Sequence, residues 1–296
     1  MEPLLSIIVN CHNGEKYLKE CISSILNQKY QNFEVIFFNN SSKDNSKKII
    51  DNFQSNKIRY FYSSEKLSLY KARNEALKHA RGELIAYLDS DDWWNENYLS
   101  SRLEHFKNKH FDFFYCNSNF FFEKNKKKKI YKNYSLPSGK IYSFLIKDYF
   151  IIISGVIFRK EIFQKYGKFN ENFNIIGDYD FLMRISIECN AHALNSPLIN
   201  YRVHENNFSK MNTKMYYEEY KFWLEENKKT QNDEFNKNIH IHEMKLEYFE
   251  IAHLLKESKK DFFLFKKIIR YNNFSEKIKF LILFFLPKRM HKFLKK

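Results

Sequence analysis

Gly82-Glu83-Leu84-Ile85-Ala86-Tyr87-Leu88-Asp89-Ser90-Asp91-Asp92-Trp93 sets an apolar run directly against a tight acidic cluster. Glu83–Leu88 has the length and continuous apolarity of a strand buried on both faces, and it ends abruptly in Asp89-Ser90-Asp91-Asp92. In extended backbone, residues i and i+2 point the same way, roughly 6.5–7 Å apart. Asp89 and Asp91 are therefore expected to face one ligand together while Asp92 turns aside. Adjacent carboxylates repel, so such a cluster is tolerated when exposed or when a cation sits among them. An acidic turn capping the next helix is the plain alternative.

The residues upstream repeat the same grammar. Leu4–Val9 and Phe33–Phe38 are apolar runs of strand length, and Ile58–Tyr62 reads as a further strand. Between them, Glu15–Gln28 carries Tyr17, Leu18, Cys21, Ile22, Ile25 and Leu26 on one helical face; Asp44–Phe53 and Leu69–Ala80 also read as helices. Alternating strands and helices with fully apolar strands predict an α/β fold, a mostly parallel sheet with helices on both faces. Ligands of such sheets bind beyond the carboxyl ends of the strands, where Asn10–Asn13, Asn39–Ser42 and Asp89–Asp92 all fall.

From about Phe106 the pattern changes. Phe111–Cys116 and Asn119–Phe122 read as two strands, the lysine run Lys124–Lys132 as a solvated hairpin or loop, and Ile151–Phe158 as an apolar stretch holding Ser154-Gly155. Gly177-Asp178-Tyr179-Asp180 opens an amphipathic segment, where either acid could simply complement a helix dipole. Tyr201-Arg202-Val203-His204 follows Pro197, and beyond Tyr216 the chain is helical in character. The organisation expected is an α/β half over 1–105, a second half over 106–215 and a basic helical extension over 216–296.

Composition narrows the function. The 296 residues carry a formal charge of +15, of which +10 lies in residues 256–296. Six dispersed glycines form neither a dinucleotide fingerprint nor a phosphate-binding P-loop. Four dispersed cysteines make structural zinc or a disulfide framework improbable. The longest apolar run, the seven residues Phe280–Leu286, is far below the ~20 needed to span a bilayer. With no leader-like segment at the N-terminus, a cytoplasmic protein is expected. Lysines interleaved with Phe262, Phe263, Phe265, Ile268 and Phe284 suit the surface of an anionic membrane. Nucleic acid competes for the same charge, but nothing in residues 1–215 encourages it, and no nucleic-acid partner is expected.

Taken in order, these segments resemble glycosyltransferase family 2 with the GT-A fold. The resemblance rests on Ser6-Ile7-Ile8-Val9-Asn10-Cys11-His12-Asn13-Gly14, Asn39-Asn40-Ser41, Lys71-Ala72-Arg73-Asn74, Asp89-Ser90-Asp91-Asp92-Trp93, Ser154-Gly155, Gly177-Asp178-Tyr179-Asp180 and Tyr201-Arg202-Val203-His204. It covers roughly residues 4–210. The resemblance implies inverting transfer of a sugar from a nucleotide-diphospho-sugar, with uridine the expected base, to a glycan or lipid-linked oligosaccharide acceptor at the inner membrane face. It assigns Asp178 as general base, and Asp91 with His204 to a Mn²⁺ or Mg²⁺ ion that neutralises the departing diphosphate. Asn10, His12, Asn13, Asn40, Arg73, Asp89 and Ser90 are assigned to the nucleotide-sugar, with Asp89 on the ribose or nucleotide and Arg73 a partner for the base or the phosphate. Two departures stand out: Asn39-Asn40 where relatives carry acids, and Gly177 where a Glu usually precedes the base. They keep a non-catalytic sugar-nucleotide binder in view as the alternative.

Overall fold

The computed structural model describes residues 2–107, 110–230, 232–257 and 260–285. These fall into two compact units, Met1–Glu205 and Asn206–Lys296.

The first unit is built on one mixed sheet. Its strands are β1 (Leu5–Cys11), β2 (Phe33–Asn40), β3 (Ile58–Ser63), β4 (Leu84–Tyr87), β5 (Trp93–Trp94), β6 (Phe113–Phe122), β7 (Lys127–Ile130), β8 (Val156–Arg159) and β9 (Ala191–Val203). The spatial order is β3-β2-β1-β4-β8-β6-β9-β5, with β7 paired to β6. The three pairings among β1 to β4 are parallel, and β8 then joins antiparallel to both β4 and β6. Continuous apolarity has its expected consequence in β1, β2 and β4, which are buried along almost their whole length, whereas β3 is half-buried at the sheet edge.

The crossovers from β1 to β2 to β3 run one way, and β4 returns to the other flank of β1. That reversal is a topological switch point, where the loops leaving neighbouring strands separate and open a crevice. The loops after β1 and β4 flank it, so strand order alone directs Asn10–Gly14 and Asp89–Asp92 to one place. Helices α1 (Glu15–Leu26), α2 (Ser46–Asp51) and α3 (Leu69–Leu77) connect these strands. Helix α1 inserts Leu18, Cys21, Ile22 and Ile25, the stripe read from its periodicity, into the core against β1 and β2. Gly82 is required by a close approach: a Cβ there would lie 2.5 Å from the Leu4 carbonyl oxygen, and the Gly82 N–H donates to Ser6 Oγ at 2.8 Å.

The two strands expected over 111–122 are one continuous strand, β6, running parallel to β9. The polar pair Asn117-Ser118 that broke the apolar pattern marks an irregularity in the register. There the Asn117 side chain accepts the Ser118 N–H and donates to the Lys132 carbonyl. The lysine run forms a solvated hairpin, with β7 exposed along its length. Helix α4 (Gly177–Ser186) lies between β8 and β9 in the chain.

The second unit is helical: α5 (Thr213–Lys228), α6 (Ile239–Lys256), α7 (Phe262–Arg270) and α8 (Phe274–Phe285), with shorter helical turns between. Ile251, Leu255, Leu264, Ile268, Tyr271 and Phe280 form its core, so part of the apolar content of the basic extension is used in helix packing. Phe262, Phe263, Phe274 and Phe285 stay exposed. No helix among the described residues is long and apolar enough to cross a membrane. Residues 286–296, with Pro287 and the last five cationic side chains, lie outside the described residues.

Candidate active site

The four residues after β4 behave as three different groups. Asp92 turns inward and is buried, accepting from Ser154 Oγ at 2.7 Å and from the Arg202 N–H at 2.9 Å. Burial first, and then repulsion from Asp91 and Asp89, push its carboxyl well above the usual range. Its role is positional. Asp92 ties the acidic turn to the residues around β8 and to the end of β9, which carries His204 toward Asp91. Ser154 Oγ also accepts the Asp89 N–H at 3.2 Å.

Asp91 and His204 meet directly, with Asp91 Oδ2 and His204 Nε2 separated by 2.9 Å. Arg202 reinforces this corner by donating from Nε to the Asp91 carbonyl at 2.8 Å and pairing with Glu20. Its guanidinium lies 4.4 Å from the Trp93 ring centre and 4.6 Å from that of Tyr17, and the Tyr17 ring in turn lies 5.0 Å from His204. The Asp91 carboxylate oxygen suits Mn²⁺ or Mg²⁺, and an imidazole nitrogen beside it fits Mn²⁺ better than the harder Mg²⁺. Adjacent ligands at ~2.05 Å from an octahedral ion stand about 2.9 Å apart, so the observed separation fits a shared ion. Among the described residues no group of three or more metal-binding side chains converges. An ion held by Asp91 and His204 would leave positions open for substrate oxygens and water, as Mg²⁺ commonly does.

Asp89 instead points to Arg73 on α3, whose Nη2 donates to Asp89 Oδ1 at 2.5 Å. Arg73 is 2% exposed and belongs to the interior of the site, not to the solvated face of its helix. Burial works against its charge, but the Asp89 carboxylate, with Tyr70 and Asp178 behind it, raises it above its ordinary value and keeps it cationic.

Asp178 opens α4, and the two acids of that segment part ways. Asp180 pairs with Arg184 of the same helix at 3.1 Å. Asp178 Oδ1 accepts the Tyr70 hydroxyl at 3.0 Å and the Tyr179 N–H at 2.9 Å. Burial raises the Asp178 carboxyl above the ordinary aspartate value, against the charge of Arg73 and the bonds from Tyr70 and Tyr179. A partly buried carboxylate whose proton affinity is raised suits the part of a general base.

The loops after β1 and β2 form an interlocked frame. His12 Nδ1 lies 2.8 Å from the Asn40 carbonyl, and Asn13 Oδ1 accepts the Lys43 N–H at 2.8 Å. Both polar ends of the Asn40 side chain are bonded to the Leu67 backbone, at 2.8 and 3.0 Å, while Asn39 holds Tyr60 and the Ser42 N–H. The asparagines standing in place of acids thus brace the loops. The Asn10 amide is enclosed and has no hydrogen-bonding partner among the described residues. Ser90 lies against Gly14, joining the loop after β1 to the acidic turn. Sequence reasoning singled out neither Tyr70 nor Arg202 individually, although both stand in segments that it marked.

The family model described as glycosyl transferase family 2 matches residues 6–167, more than half of the chain. The chain belongs to glycosyl transferase family 2. Glycosyltransferase GlyG of Streptococcus pneumoniae serotype 4 is 30% identical over 189 residues, 62% of this chain and 58% of GlyG. The chain thus covers less than two thirds of that relative's length. The Escherichia coli UDP-Glc:alpha-D-GlcNAc-diphosphoundecaprenol beta-1,3-glucosyltransferase WfgD is 28% identical over 210 residues, 70% of this chain and 79% of WfgD. Among solved structures, S. aureus TarS 1–349 in complex with UDP-GlcNAc superposes with a TM-score of 0.63 at 20% identity, covering 84% of this chain and 72% of that one. The mannosyltransferase PcManGT from Pyrobaculum calidifontis, in complex with GDP-Man and Mn²⁺, gives 0.65 at 12% identity, covering 100% and 89%. At these identities the two structures establish the GT-A fold.

Proposed function

We propose that this family-2 glycosyltransferase moves a sugar, with inversion, from a UDP-sugar to a hydroxyl of a glycan or lipid-linked acceptor. The observation that carries the reading is the meeting of Asp91 with His204, beside Arg73–Asp89 and Asp178, at the switch point of the sheet. Asp91 and His204 would hold Mn²⁺ or Mg²⁺. When bound, such an ion supplies neutralisation of the charge that develops on the departing diphosphate.

The chain's own residues do the rest. Buried Arg73 offers a fixed cation beside Asp89, which suits a donor whose ribose and diphosphate must be held in one orientation. Asp178 accepts the proton of the acceptor hydroxyl as that oxygen attacks the anomeric carbon, and the C–O bond to the diphosphate breaks. Uridine is favoured by the donor named for WfgD and by the ligand bound to TarS.

Calorimetry on the full chain tests this site. UDP-glucose or UDP-GlcNAc is expected to bind in the presence of Mn²⁺, with affinity lost by tenfold or more when EDTA replaces the metal. Equal affinity in metal and in chelator would remove Asp91 and His204 from the proposed role.

A further inference from the structure

Gly177 and Tyr70 occupy one volume between them. A Cβ on Gly177 would lie 2.5 Å from Tyr70 Cδ2 and 2.6 Å from its Cε2 and Cγ, inside the van der Waals surface of the ring. Tyr70 itself is 1% exposed, on α3 one helical turn before Arg73. Its ring is held by Phe169 and by the Arg73 guanidinium, whose carbon lies 5.3 Å from the ring centre. The phenol oxygen reaches Asp178 Oδ1 at 3.0 Å and the Ile175 carbonyl at 2.9 Å.

We propose that Tyr70 is the positioning residue of the candidate base, filling the place left by Gly177 and fixing Asp178 Oδ1 so that Oδ2 is presented to the acceptor hydroxyl. This rests on the reading of Asp178 as the base. Asp178 Oδ1 takes both printed bonds, from Tyr70 and from the Tyr179 N–H, while Oδ2 has no hydrogen-bonding partner among the described residues. A phenol has one proton and here faces two acceptors. With Asp178 ionised, the proton is best placed on the carboxylate, the stronger acceptor. Once Oδ2 has taken a proton from the acceptor hydroxyl, Oδ1 is the weaker acceptor of a neutral acid, and the phenol can keep its bond there or turn its proton to the Ile175 carbonyl. No proton is gained or lost by Tyr70 in either state.

The groups facing Asp178 are Arg73 and Tyr70 from α3, Asp89 from the turn after β4 and the Tyr179 N–H of its own helix. The Tyr70 bond and the Arg73 charge favour the ionised carboxylate, whereas burial and Asp89 disfavour it. Removing the hydroxyl therefore raises the pKa of the base further, and the acid limb of kcat moves to higher pH.

The test is Tyr70→Phe in the full chain, assayed as sugar transfer from the UDP-sugar selected by calorimetry, with Mn²⁺. The expected result is kcat lowered about tenfold or more, donor KM within twofold and the acid limb shifted upward. Unchanged kcat and an unchanged acid limb would overturn the proposal. Should Tyr70→Phe fail to fold, Gly177→Ala decides: its Cβ would press on the Tyr70 ring from 2.5 Å and displace the hydroxyl from Asp178. There kcat should fall about tenfold or more, with donor KM within twofold and the acid limb shifted upward; an unchanged kcat and acid limb overturns the proposal. Asp178→Asn in parallel separates the two claims: wild-type turnover there sinks the base assignment itself, whereas an inactive Asp178→Asn beside a wild-type Tyr70→Phe sinks only the role of Tyr70.

Discussion

Asp178→Asn should reduce sugar transfer by about 10²- to 10⁴-fold while leaving donor affinity within a few-fold of wild type. The range is that of a lost general base. Asparagine preserves the shape, and its carbonyl oxygen can still accept the Tyr70 hydroxyl and the Tyr179 N–H that hold Oδ1 in place. What disappears is the lone pair of Oδ2, now an amide nitrogen that cannot take a proton. Steady-state kinetics with calorimetry on the same preparation separate the two quantities. Turnover within tenfold of wild type would remove Asp178 from the chemistry. In the wild-type enzyme the sign of the pH dependence is also fixed. Burial raises the Asp178 carboxyl, so the ionised, working form is lost as pH falls through a value above the ordinary aspartate pKa.

Asp91→Ala should be comparably severe for a different reason. Asp91 meets His204 at 2.9 Å through a carboxylate oxygen, and alanine removes that oxygen from the proposed ion. Neutralising a leaving diphosphate is worth several kcal/mol, so a fall of about 10²- to 10³-fold in kcat/KM is expected at saturating Mn²⁺. The backbone of the turn should survive the change, because Asp92, not Asp91, anchors it to Ser154 and Arg202. A melting temperature near that of wild type, with the rate lost, is the expected pair of results. Retained kcat/KM would show that this corner does not hold a working ion.

Much of this site was legible before any coordinates. Uninterrupted apolar runs located the central strands, and each was closed by a polar cluster, so the carboxyl-end rule brought Asn10–Asn13, Asn39–Ser42 and Asp89–Asp92 to one edge. Asp92 is buried apart from the more exposed side of the cluster, but not through strand alternation: Asp89-Ser90-Asp91-Asp92 is a turn closed by the Asp92 N–H on the Asp89 carbonyl at 3.0 Å. Asp89 and Asp91, expected to face one ligand together, turn to Arg73 and His204 respectively. The ordered motifs then attached Asp178 and His204, which no local pattern could have linked to Asp91.

Less was legible wherever a residue's meaning lies in a partner far along the chain. Tyr70 reads as one more apolar position on an amphipathic helix; only its bond to Asp178, on another helix, makes it a neighbour of the base. Gly177 read as a loss, and the ring beside it shows what its small size admits. Asn40 is assigned to the nucleotide-sugar by the resemblance, yet its amide is bonded at both ends to Leu67. The break between two short strands over 111–122 was a local irregularity within a single one, because side-chain bonds from Asn117 substitute for regular ladder bonds at that point.

The central claim is that the recess carries out inverting transfer from a nucleotide-sugar. It is tested most directly by nuclear magnetic resonance of the product formed from an α-linked UDP-sugar, Mn²⁺ and a glycan or lipid-linked acceptor that the wild-type chain glycosylates. The expected product carries a β-linked sugar, formed by wild type and absent with Asp178→Asn. An α-linked product, or a β-linked product formed equally well by Asp178→Asn, would contradict the account.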